Sequence, residues 1–170
     1  MSKRKPNFTH FVLGKTGGAA LTVEKTLTPT SYMPTISLDC REPNTNNEAG
    51  FNNLTKWTLQ LNALTEVPKL LAVLLTYLPE AKFQYHGVKK NHALSVEWVR
   101  SKGTLKFTFL FEGKNRFIEL PREKVFELAV FVADSTIKTL ESCGAASEGT
   151  STLSDINTFI GRCYRPFKST

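Results

Sequence analysis

Three cysteines in 170 residues, Cys40, Cys143 and Cys163, are an odd number with no close pair. That scarcity excludes a disulfide framework and the paired spacing of a zinc ribbon, and it fits reduced thiols in a cytosol-like compartment. Histidine is equally scarce. His86 and His92 flank a loop, His10 stands alone, and no third ligand completes a metal site. No Ser/His/Asp or Cys/His order stands out, and Asp39 and Glu42 have no partner acid, base or nucleophile. Gly14-Lys15-Thr16 lacks the glycine five residues upstream that a phosphate-binding loop needs; Thr9 stands there. A non-catalytic chain without a cofactor is therefore expected. No apolar run reaches membrane-spanning length, and residues 70–75 fall far short of it. The basic opening Met1-Ser2-Lys3-Arg4-Lys5-Pro6 is followed by no long apolar stretch, so it is not a secretory signal. Two readings of it stay open, an arm that touches phosphates and a solubilising end.

Acidic side chains are outnumbered, 15 against 22 lysines and arginines, for a net charge of +7 and a pI near 9.4. That excess favours a polyanionic partner and speeds encounter with it. The length is that of one domain with a real core.

What is present comes twice. Strand-like segments lead into a helix opening at Leu64-Thr65-Glu66-Val67-Pro68, then resume and lead into a second helix opening at Leu120-Pro121-Arg122-Glu123-Lys124. The helix interiors match, Leu71-Ala72-Val73-Leu74 against Leu128-Ala129-Val130-Phe131. Alternation and turn residues place strands at 8–13, 19–28, 35–40 and 57–61 in the first half, with an asparagine-rich loop over 43–53. The second half has strands around Phe83 and Tyr85, at 93–100, at 105–111 and at 116–120, with Gly113-Lys114-Asn115 as the last turn. Helices are expected over 65–78, with Thr65 as N-cap and Pro79 as the stop, and over 121–141. The fold class is α+β, two four-stranded antiparallel sheets each followed by a helix (ββββα repeated). Residues 1–141 form the domain. Residues 142–170 hold a linker, a short helix and a basic aromatic tail that either docks on the domain or hangs free near a ligand.

Both helices are apolar around too much of their circumference. On the second, Val125, Leu128, Ala129 and Val132 form one stripe, and Phe126, Val130, Ala133 and Ile137 widen it. A helix on one sheet needs only one stripe, so a second copy of the chain is the expected neighbour, ahead of a monomer whose helices cover each other. In the strands, if Trp57, Phe83, Phe107 and Phe109 face the helices, Lys56, Lys82 and Lys106 share the opposite side with Thr58, Gln84, His86 and Thr108. Ammonium groups among short polar side chains suit a phosphate track. Phe51, Tyr85 and Trp98 are expected as stacking platforms for bases, and Lys89 and Lys90 as loop cations. Charge reversal at Lys56, Lys82 and Lys106 together is expected to abolish binding and leave the fold intact.

Gly17-Gly18-Ala19-Ala20-Leu21-Thr22-Val23-Glu24 resembles the Lys-Gly-Lys-Ala-Ala-Leu stretch, followed by Ser-Val-Glu, of the Whirly single-stranded-DNA-binding proteins. Trp57-Thr58-Leu59-Gln60-Leu61 is similar to that family's fourth strand. Ile118-Glu119-Leu120-Pro121-Arg122-Glu123-Lys124-Val125-Phe126 is similar to its last strand and final helix opening. The resemblance covers residues 8–140. It implies two sheets packed roughly at right angles, helices gathered at the centre of a tetramer, and single-stranded DNA held along the sheets with little sequence preference. Replication, recombination or repair would be the setting. RNA on the same scaffold, as in the similar mitochondrial RNA-binding proteins, is the alternative, followed by a structural or protein-interaction module. Lys15 stands roughly for the first lysine of the family's basic motif, and Gly18 falls where the second would be. No long transit segment precedes the first strand. That leads to an expected cytoplasmic location in a bacterial, viral or mobile-element setting, or to a processed organellar form.

Overall fold

The computed structural model describes residues 19–42 and 52–144, the backbone of 8–12, and residues 156, 158, 160, 161 and 164. Lys15 and Phe51, both expected at the site, lie outside the described residues.

The chain forms β1 (Phe8–Val12), β2 (Ala20–Leu27), β3 (Pro34–Arg41), β4 (Trp57–Gln60) and α1 (Glu66–Leu74). It then forms β5 (Glu80–His86), β6 (His92–Val99), β7 (Thr104–Phe111), β8 (Lys114–Leu120) and α2 (Arg122–Ser142). Neighbouring strands pair antiparallel in the orders β1-β2-β3-β4 and β5-β6-β7-β8. Both helices lie on the apolar side of the sheets, α1 against α2 and β5, α2 against β3. Leu21, Val23, Ile36, Leu38 and Leu59 meet Phe83, Val96, Phe107, Phe109 and Ile118 there, in one core with Leu70, Leu71, Leu128 and Val132. The alternation in the strands thus becomes two sheets with one buried and one open face each.

Three local expectations are corrected. First, the last hairpin turns at Glu112-Gly113, not Gly113-Lys114-Asn115. Both residues have positive φ, 49° and 80°, which a two-residue turn matched to strand twist requires, so Lys114 and Asn115 are already strand. Second, Thr65 makes no side-chain cap bond. Asn62 caps instead. Its Oδ1 accepts the Leu64 and Thr65 N–H groups at 3.0 and 3.1 Å, and Glu66 Oε2 accepts the Asn62 N–H at 2.7 Å. Third, α1 ends at Leu74, short of Pro79. Thr76 turns left-handed at φ 64°, and the Trp98 indole donates to the Val73 carbonyl at 2.8 Å. The Val73 carbonyl also accepts the Thr76 N–H at 3.0 Å, so the second sheet adds a bond at the helix end that no sequence pattern assigns.

On α2, Phe126 is 72% exposed and Val130 41%, whereas Ala133 is buried and Ile137 half-buried. The helix is tied to β2 by the Lys25–Asp134 ion pair. Burial works to raise the Asp134 carboxyl pKa, but hydrogen bonds from Lys25 and Lys138 outweigh it and hold the group below its ordinary value. Near the C-terminus, Ile156 and Ile160 join the core, and Gly161 lies 3.6 Å from the Tyr77 ring, counted from a Cβ placed on it. The described part of this segment docks on the domain.

Candidate nucleic-acid interface

The open faces carry the lysines that strand parity assigned to them, but not as a bare basic track. On the first sheet Lys56 reaches Asp39 at 2.8 Å, Arg41 reaches it at 3.6 Å, and the Thr58 hydroxyl donates to it at 2.7 Å. Asp39 is only 2% exposed beneath them. On the second sheet Lys82 pairs with Glu80 at 3.6 Å and Lys106 with Glu97 at 3.7 Å, while Lys102 holds Glu119 at 3.0 Å. Register explains the pairing, because Lys106 stands between Glu97 and Glu119 on adjacent strands. The expected lysine face is corrected to a ladder of matched charges. Gln84 and Thr108 stand on it as expected. So does Phe117, 49% exposed with the Lys106 ammonium 5.5 Å from its ring. Sequence reading passed over Phe117, although its alternation with Ile118 was the available signal.

Two expected site residues are elsewhere. His86 does not share the open face. The β5–β6 register shifts between Phe83 and His86, where Tyr85 has φ 66°, and this bulge swings His86 to the helix side, 2.9 Å from Glu66 of α1. Trp98 is no free platform. It points to the helix side, half-buried, with its indole N–H committed to Val73. Tyr85 is 74% exposed, and Lys89 and Lys90 are exposed beside it.

Where the two sheets meet, β4 and β7 bring aromatic rings together. Trp57 stacks on Phe111 at 5.0 Å with 7° between planes, and His92 stacks on Phe111 at 4.0 Å. The Arg116 guanidinium closes the stack 3.7 Å above the Trp57 ring. Arg116 also bonds the Thr55 carbonyl and pairs with Glu42 at 2.9 Å. A groove of about 530 Å³ runs along this ladder, lined by Lys56, Trp57, Thr58, His92, Phe111, Glu112, Lys114 and Arg116. It sets cations, which can hold phosphates, beside rings whose faces are spent on one another and on Arg116. Burial pushes the nearby Cys40 thiol up to about 12, against the lowering effect of Arg116, so the thiol is not a nucleophile at neutral pH.

No family model and no curated protein sequence matches the chain. Solved structures do. The structure of WHY1 from Arabidopsis thaliana aligns at a TM-score of 0.63 with 14% identity, over 88% of this chain and 100% of that one. The Trypanosoma brucei MRP1/MRP2 structures align at 0.56 with 14% identity, over 78% of this chain and 84% of that one.

The fold is Whirly-like. Within this Whirly-like frame, Trp57, His92, Phe111, Lys114 and Arg116 are the groove residues that sequence reading missed. Trp57 and Phe111 looked like ordinary core positions, and only the meeting of two sheets turns strand ends into a groove. Among the described residues, no cluster of His, Cys, Asp and Glu could hold a metal, and no helix is long and apolar enough to cross a membrane. The balance of charge on the Whirly-like open face can be tested. Asp39→Asn keeps the shape and removes the counter-charge beside Lys56. A single-strand affinity about three- to tenfold higher at low salt is expected, roughly one phosphate contact, with a lower Tm; titration and thermal melting check both.

Proposed function

We propose that the chain is a non-catalytic protein that holds single-stranded nucleic acid with little sequence preference, DNA first, in replication, recombination or repair. The observation that carries this reading is the junction groove, where Lys56, Lys114 and Arg116 border a ladder of aromatic rings on a Whirly-like fold. The short sequence matches to the Whirly proteins favour DNA. Lys89, Lys90 and Tyr85 extend the groove's chemistry at the neighbouring hairpin, and Lys82, Gln84, Lys106, Thr108 and Phe117 extend it on the second sheet.

RNA on the same scaffold is the second reading, supported by the likeness to MRP1/MRP2. The 2′-hydroxyl separates the two ligands chemically. The chain assembles as a homo-oligomer, a tetramer in the favoured form, through the face of α2 that presents Phe126 and Val130.

Fluorescence anisotropy with random single strands of DNA and of RNA, across a salt series, tests the reading. Log affinity is expected to fall linearly with log salt, by about 0.7 for each phosphate contacted. No binding of either strand at low salt would sink it and favour an acidic protein partner. Light-scattering mass with and without the strand measures the assembly.

A further inference from the structure

The β5–β6 hairpin is built to project. Tyr85, Gly87 and Lys90 all have positive φ, at 66°, 77° and 52°, and two of them are not glycine. Side-chain-bearing residues adopt that conformation only where their surroundings enforce it. Here the base of the hairpin is clamped. His86 is bound to Glu66 of α1, and His92 is stacked on Phe111 directly under Gly87. A Cβ at Gly87 would sit 2.6 Å from His92 Nδ1, so the backbone lies flat against the ring. Above this rigid base, Tyr85 is 74% exposed and Val88 fully exposed. The only charges on the hairpin between Glu80 and Glu97 are Lys82, Lys89 and Lys90; no carboxylate occurs there. The tip is therefore an aromatic and an aliphatic side chain on a firm stem, ringed by cations.

We propose that this tip is a wedge that stacks on the last base pair of a duplex where it opens into single strand, with Lys89 and Lys90 on the flanking phosphates. The protein then prefers a single-strand–duplex junction to a plain strand. A planar base pair presents an apolar surface bordered by phosphates, complementary to Tyr85 and Val88 bordered by lysines. A second copy of this chain is the less suitable occupant, because pairing tip to tip would set Lys89 and Lys90 against the same lysines of the copy. The proposal rests on the single-strand reading above, extending it to the junction.

Affinities of the full chain are compared on a single strand, on the same strand ending in a duplex hairpin, and on a blunt duplex, each as DNA and as RNA. A junction preference of about tenfold is expected, near the lower end of what one aromatic–base stack supplies. The double variant Tyr85→Ala/Val88→Ser is expected to bring junction and plain-strand affinities within about twofold of each other, while Tyr85→Phe keeps the preference. Circular dichroism and Tm unchanged in both variants separate this loss from misfolding. Equal affinities for junction and plain strand in the unaltered protein would overturn the wedge while leaving single-strand binding intact. A preference surviving the double variant would also overturn it, as would a changed light-scattering mass, which would mark the tip as a subunit contact. Tight junction binding without plain-strand binding would uphold the wedge and sink the single-strand reading. Binding of neither would sink both.

Discussion

The variant Lys89→Glu/Lys90→Glu/Lys114→Glu is expected to bind a single strand about 500-fold more weakly at about 50 mM salt, with unchanged stability. The magnitude follows from counterion release. One phosphate contact with a single strand shifts log affinity by about 0.7 per decade of salt, so it supplies roughly eightfold at about 50 mM relative to 1 M, and three contacts supply about 500-fold. The slope of log affinity against log salt is expected to become shallower by about 2. All three side chains are exposed, and none makes an ion pair among the described residues, so reversing them strands no buried partner. The triple reversal at Lys56, Lys82 and Lys106 has a different outcome. A glutamate at position 56 would face Asp39, which is 2% exposed, and the loss of binding would be mixed with a loss of fold. Titration of both triple variants, with melting curves alongside, separates the effects. An unchanged affinity in Lys89→Glu/Lys90→Glu/Lys114→Glu would remove the hairpin and groove from the interface.

Arg116→Ala is expected to destabilise the fold by about 3 kcal/mol, a fall in Tm of roughly 6–12 °C for a chain of this size. The guanidinium stacks on Trp57 and is 12% exposed, so the cation–π contact is largely desolvated and contributes about 2 kcal/mol. The Thr55 carbonyl loses its donor, which costs about 1 kcal/mol more. Glu42 is 49% exposed and returns to water, so its pairing adds little. Arg116→Lys is expected to recover less than half of the loss, because an ammonium cannot stack on an indole as a planar guanidinium does. Trp57 and Trp98 are the protein's two tryptophans, and Trp98 stays bonded to Val73. A red shift in emission therefore reports the opening of the Trp57 stack. A Tm within about 1 °C of the parent would show that the ladder does not brace the junction.

Much of this molecule was legible in one dimension. The repetition of strands and helix, the buried faces of Phe83, Phe107 and Phe109, and the open positions of Lys56, Thr58, Lys82, Gln84, Lys106 and Thr108 follow from side-chain period alone. Alternation reports which side a residue takes, because the pleat forces it. Parity failed at His86, since the bulge at Tyr85 inserts a residue into the count. Trp98 shares its parity with buried Leu94 and Val96, so the platform expected there ran against the alternation, and its indole bonds a helix end distant in the chain.

The neutrality of the second open face was equally hidden. Lys106, Glu97 and Glu119 stand on three different strands, and only register sets them side by side. The groove is the extreme case, because its ladder takes Trp57 from one sheet and Phe111, His92 and Arg116 from the other. Patterning along the chain, then, determined the α+β class, the duplicated plan and the inward or outward sense of most strand residues, because those depend on local geometry and on hiding apolar surface from water. Tertiary packing alone decided which charges cancel, where the aromatic rings meet and which hairpin projects, because those depend on distances between segments that local sequence does not encode.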